Sequence, residues 1–163
     1  MPVVNDNVMP FDEGLLDRAR TQWQFGDWLA LAQLSEEQIQ YHPDRAKLAL
    51  LSASGRQQAG DAAEGKRYMR LAMDWGCNPR LVKQILISGM HNSLGRAAAI
   101  LGQEQQAFKH FEAAIDTGSP NADRLVKAAR VSFQLNQLGI PTNIQLAFSE
   151  SVSLGSEAVS ASR

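Results

Sequence analysis

Cysteine and histidine are scarce in this sequence: Cys77 stands alone, and His42, His91 and His110 are the only imidazoles. A single thiol cannot close an intramolecular disulfide, which fits a reducing compartment. None of the histidines is spaced from another histidine, a cysteine or a carboxylate pair in the manner of metal ligands. No G-x-S-x-G, Walker loop, Rossmann glycine triplet or zincin motif is present either. The expectation is therefore a non-enzyme, with no catalytic residue, no cofactor and no metal. Neither sign of charge is in excess, since 16 Lys and Arg stand against 17 Asp and Glu for a net charge of −1. Nucleic-acid binders carry a basic surplus or a dense basic stripe, so nucleic acid is not an expected partner. Long apolar runs are missing as well. Nothing approaches the roughly 18 consecutive apolar residues of a membrane helix. The opening MPVVNDNVMP has neither the basic start nor the apolar centre of a secretory signal. A soluble, cytoplasmic chain without direct membrane insertion is the reading.

Strand signals are also lacking. Val, Ile, Thr, Tyr and Phe do not alternate over any convincing window, whereas Ala, Leu, Gln, Glu, Arg and Lys dominate. What is present is regular punctuation. Helix-stopping glycines stand at Gly26, Gly60, Gly76, Gly102, Gly118 and Gly139. Gly76-Cys77-Asn78-Pro79 and Gly118-Ser119-Pro120 each read as a stop followed by a capping side chain and a first-turn proline. His42-Pro43 is a weaker start of the same kind. Asp27 and Asp61 follow glycines directly and read as N-caps, with Glu64 at capping-box distance from Asp61.

This punctuation predicts an all-α fold of seven helices, at about 12–25, 28–41, 44–58, 61–75, 79–101, 104–117 and 120–138. Connections of two to four residues force consecutive helices into antiparallel hairpins. Residues 1–11 read as a flexible N-terminal segment, 12–138 as the helical domain with a capping helix at 120–138, and 139–163 as a Ser-rich tail. Leu146, Phe148, Val152 and Leu154 of that tail are candidates for docking, on a partner or back on the domain.

The glycines also repeat. Gly26-Asp27 and Gly60-Asp61 lie 34 positions apart, and Gly60 and Gly102 lie 42 apart. Gly76 and Gly118 are separated by the same 42, which places two extra helical turns in the helix over 79–101. Leu94-Gly95, Leu101-Gly102, Ala107, Phe111, Ala114-Ile115 and Pro120 then follow in an order that resembles the tetratricopeptide repeat family. Ala53, Met69 and Ala72-Met73 make a second such unit, with Gly65 where an alanine is usual; Ala19, Gly26-Asp27-Trp28 and Pro43 make a degenerate first one, which departs from the pattern with Leu31 and Ser35 at its packing places. In this pattern Gly95, Ala107 and Ala114 are small where helices cross, while Leu94 and Phe111 fill the space beside the crossing. Trp23, Trp28 and Trp75, near helix ends, read as hairpin packing.

The resemblance implies hairpins stacked as a short right-handed superhelix, with a concave groove lined by the first helix of each hairpin. Residues three, four and seven apart share a face. On that basis Leu16, Arg20 and Trp23 line the groove in the first unit, and Lys47, Leu50, Ser54 and Gln57 in the second. Asn92, Arg96 and Ala99 follow in the third, and Val126, Arg130 and Phe133 in the last helix. Arg20, Trp23, Lys47, Leu50, Asn92, Arg96 and Arg130 are thus the candidate partner-binding residues, suited to an acidic protein or peptide segment. The implied function is a scaffold or adaptor, and a homo-oligomer is compatible with it. A second resemblance points elsewhere. The stretch from Ile87 to Ala98 is similar to helical regions attached to bacterial glycosyltransferases or methyltransferases of surface-polysaccharide pathways, which implies an accessory domain or subunit of such an enzyme.

Overall fold

The computed structural model describes residues 10–120 and 123–140. The tail candidates Leu146, Phe148, Val152 and Leu154, and most of segment 1–11, lie outside these. Among the described residues the chain is all-helical: α1 Leu15–Phe25, α2 Trp28–Ala32, α3 Glu36–Ile39, α4 Arg45–Gln58, α5 Ala62–Asp74, α6 Pro79–Ile100, α7 Glu104–Gly118 and α8 Arg124–Gln137.

Glycine ends most of these helices for one physical reason. Gly26, Gly60, Gly76, Gly102 and Gly139 have φ between +72° and +94°, the left-handed region that side chains disfavour. At Gly60 the geometry is complete: the Gly60 N–H donates to the Gln57 carbonyl (3.2 Å) and the Asp61 N–H to the Arg56 carbonyl (2.8 Å). The last carbonyls of α4 are thereby satisfied inside the turn. Gly118 is the exception, because it closes α7 as its last helical residue, without a positive φ.

The expected starts hold at three positions. The Asp61 carboxylate accepts the Glu64 N–H at 3.2 Å, Asp27 accepts the Ala30 N–H at 3.4 Å, and the Asn78 side-chain oxygen accepts the Arg80 N–H at 2.9 Å. Glu64 does not complete a capping box; its carboxylate instead takes hydrogen bonds from the Arg67 guanidinium.

The helices differ from the sequence expectation at three places, the first being α1, which begins at Leu15 rather than at about residue 12. The helix expected over 28–41 is broken into α2 and α3, so there are eight helices rather than seven among the described residues. Ser35 sits extended at the break (ψ 156°), and its N–H donates to the Gln38 side-chain oxygen at 3.1 Å. Neighbouring helices satisfy the freed backbone groups. Ser52 Oγ and Arg56 Nη2 donate to the Leu34 carbonyl at 3.0 and 3.1 Å, and the Tyr68 hydroxyl accepts the Glu36 N–H at 2.9 Å. A break so compensated costs little. The capping helix expected from 120 begins instead at Arg124, with Asp123 at its N-cap position. Ser119 serves as the C-cap of α7, its N–H donating to the Ile115 carbonyl.

The described chain clusters into two compact units, one of residues 10–23 and 27–83, the other of 24–26, 84–120 and 123–140. In the first unit α4 is the central helix. Leu48 to Gly55 are all buried, because α2 and α3 pack on one side of α4 and α5 packs on another. Gly55 permits the α2 contact: a Cβ there would lie 2.4 Å from Leu31 Cβ and 2.9 Å from the Trp28 carbonyl oxygen. Trp23 Nε1 donates to Ser54 Oγ at 3.1 Å inside this core. The guanidinium groups of Arg56 and Arg67 lie over the phenol ring of Tyr68, 4.2 and 4.6 Å from its centre.

In the second unit Ala98, Ala107, Phe111, Ile115, Val131 and Leu135 form one apolar cluster. The helices α6 and α7 meet closely at Gly95, and Ser88 Oγ donates to the Ala114 carbonyl at 2.8 Å. Leu94, expected beside this crossing, is instead 48% exposed, turned away from it. The register explains it: Gly95 faces Phe111, and the preceding residue is rotated about 100° around the helix.

Candidate functional site

The seven candidate partner-binding residues divide by burial. In the first unit, Trp23 and Leu50 belong to the core, whereas Arg20 is exposed and Lys47 half-buried beside Asp44 (3.7 Å). In the second, Asn92 is 2% and Arg130 7% exposed, and Arg96 is half-buried. Arg20, Lys47 and Arg96 therefore keep solvent-accessible surface, and the other four side chains pack within the protein.

Arg130 is the most unusual of these. Its Nη2 donates to Gln24 Oε1 at 2.9 Å, and its guanidinium lies 5.7 Å from the centre of the Phe25 ring. Burial lowers its pKa from the ordinary arginine value. An amide oxygen and a ring face thus hold this cation, and they fix α8 against Gln24 and Phe25.

Two of the histidines stand on helices and the third, His42, in the connection between α3 and α4. His42 Nδ1 accepts the Asp44 N–H at 2.9 Å just before α4, while the Phe11 ring meets the imidazole edge-on at 5.1 Å. His91 on α6 and His110 on α7 lie with ring centres 5.9 Å apart, a pairing not expected from their separation along the chain. Among the described residues no three His, Cys, Asp or Glu side chains gather as metal ligands. Cys77 is buried in the turn before α6, and desolvation pushes its thiol pKa up against the pull of the Lys47 ammonium.

The feature that sequence reasoning missed is the outer face of α6. Leu86, Ile87, Met90, Leu94 and Ile100 are exposed along it, and Leu101 continues the row beyond the helix end. Met90 is 61% exposed and Ile100 80%. The opposite face of the helix, with Val82, Ile85, Ser88, Asn92, Gly95 and Ala98, is buried. A warning sign was available in the sequence. Apolar residues surround α6 on all sides, whereas a helix covered by its own chain on only one face shows a single apolar stripe.

These features define a class rather than a reaction: an all-α protein of short helical hairpins, with an exposed apolar face on its longest described helix. Compared with known proteins, the chain matches no family model, no curated protein and no solved structure. No helix among the described residues is long and apolar enough to cross a membrane.

Proposed function

We propose that this chain is a non-catalytic protein-interaction module of tetratricopeptide-like hairpins, working as a cytoplasmic adaptor that holds a segment of a protein partner. The recurrent turn unit carries the reading. Gly26 and Gly60, 34 positions apart, both adopt a positive φ, and each is followed by an aspartate whose carboxylate caps the next helix. Gly102 repeats the left-handed turn in the next hairpin. Repeated hairpins bury one side against their neighbours and leave the other free, which is how helical-repeat proteins present binding surfaces. Arg20 and Lys47 in the first unit, and separately Arg96 in the second, each supply a cation for charge-assisted contact with an acidic segment. Trp23, Leu50, Asn92 and Arg130 serve this reading by holding the helices that carry those cations.

The test is affinity purification of the tagged chain from its native cell with chemical cross-linking, followed by calorimetry on the purified pair. A protein enriched over the tag alone, and binding saturably in isolation, is the expected outcome. Failure of any protein to enrich, or enriched proteins that show no direct binding, would overturn the reading.

A further inference from the structure

We infer that the outer face of α6 is a docking surface for an amphipathic helix with acidic flanks, supplied by a partner protein. This deepens the interaction-module reading and rests on it. The first ground is geometric. Leu86, Met90 and Leu94 recur at intervals of four, Leu101 follows seven further on, and Ile87 and Ile100 lie beside this row. All six are exposed, five of them on a helix whose other face is buried and Leu101 just past its end. Such a row is the shape that an apolar stripe of a second helix fits, side chains of one entering the grooves of the other. Isolated exposed leucines are ordinary, but a contiguous apolar face of this length marks an interaction site.

The second ground is charge, and it selects the occupant. From Trp75 to Gln103 the chain carries Arg80, Lys83 and Arg96 and not one aspartate or glutamate. A helix lying along α6 therefore meets cations and no anions from α6, so glutamates or aspartates beside its apolar stripe gain charge-assisted contacts. A second copy of this chain is a poor occupant for the same reason. Two α6 faces laid together bring arginine and lysine against arginine and lysine, in either orientation, without a carboxylate on either helix.

The experiment uses the full chain and two synthetic helical peptides with the same leucine stripe, one flanked by glutamates and the other by lysines. Binding is read by fluorescence anisotropy. The acidic peptide should bind saturably and at least about tenfold more tightly than the basic one, with affinity falling between about 0.05 and 0.5 M salt. The double variant Met90→Glu with Leu94→Glu, both at exposed positions, should weaken the acidic peptide by about tenfold or more. Its helix content by circular dichroism should stay unchanged. Equal binding of both peptides, or binding insensitive to the double variant, overturns the inference. A dimer in sedimentation that dissociates in the double variant makes a second copy the occupant and overturns it too. Tighter peptide binding by a full-length Phe148→Glu variant makes the chain's own C-terminal segment the occupant, which likewise overturns it. The native partner separates this inference from the reading beneath it. If that partner binds wild type and double variant equally, the α6 surface is wrong while the interaction-module reading stands.

Discussion

A Cβ built on Gly95 would lie 2.9 Å from a ring carbon of Phe111, with two more ring carbons at 3.0 and 3.1 Å. Phe111 is completely buried, so its ring has nowhere to retreat. The closeness of α6 to α7 is thus set by an absent side chain, and Gly95→Leu must push the two helices apart. The expected loss is about 1–3 kcal/mol, read from chemical denaturation. A variant that unfolds at the wild-type midpoint would mean that the crossing is looser than this geometry.

The same reasoning applies at Gly55, with a harder obstacle. A methyl group there meets Leu31 Cβ and the backbone of α2. Gly55→Ala gains helix propensity of about 1 kcal/mol, yet it displaces backbone rather than a side-chain tip. Net destabilisation in a thermal melt is expected, and a raised melting temperature would contradict the α2–α4 contact.

Ser54 and Trp23 make a buried hydrogen bond, so their substitutions should be coupled. Ser54→Ala strands the indole N–H and is expected to cost about 1–3 kcal/mol. Trp23→Phe removes that donor, so adding Ser54→Ala to it should cost clearly less than Ser54→Ala alone. Strictly additive losses in the double-mutant cycle would show that the bond contributes nothing.

Glu64 gives a pH dependence whose sign follows from its partner. Hydrogen bonds from Arg67 hold its carboxyl below the ordinary carboxylate range in the folded chain. A carboxyl depressed on folding stabilises above its unfolded pKa, and the contribution is lost as pH falls through the folded value. Urea midpoints should therefore drop more for wild type than for Glu64→Gln between about pH 7 and about pH 3. Because the pair is exposed, the difference will be small and should shrink in high salt. Parallel pH profiles would remove Glu64 from the acid limb.

Cys77 should be slow to react. Its thiol is buried and held above its ordinary pKa by desolvation, which lowers the thiolate fraction at neutral pH. Folded protein is expected to react with a disulfide reagent far more slowly than urea-unfolded protein. Equal rates would place the thiol in solvent.

Local signals in the sequence reached a long way into this fold. Glycine before aspartate at 26–27 and 60–61 is enough to stop one helix and start the next, because both steps use only neighbouring backbone and one side chain. The small residue at Gly95 and the aromatic at Phe111 were legible as a crossing for the same reason that repeat patterns are legible: steric need recurs at fixed spacing. What remained undecided required distant partners. Ser35 breaks a helix between Ala32 and Glu36 because Ser52, Arg56 and Tyr68, all from later helices, take up the groups it releases. Asn92 and Arg130, polar and at helical spacing, looked like surface and are buried, since helix periodicity says which residues share a face but not what covers it. The apolar row from Leu86 to Leu101 shows the converse. Its residues have the chemistry of a core, and the tertiary structure alone decided that the described chain leaves them in water.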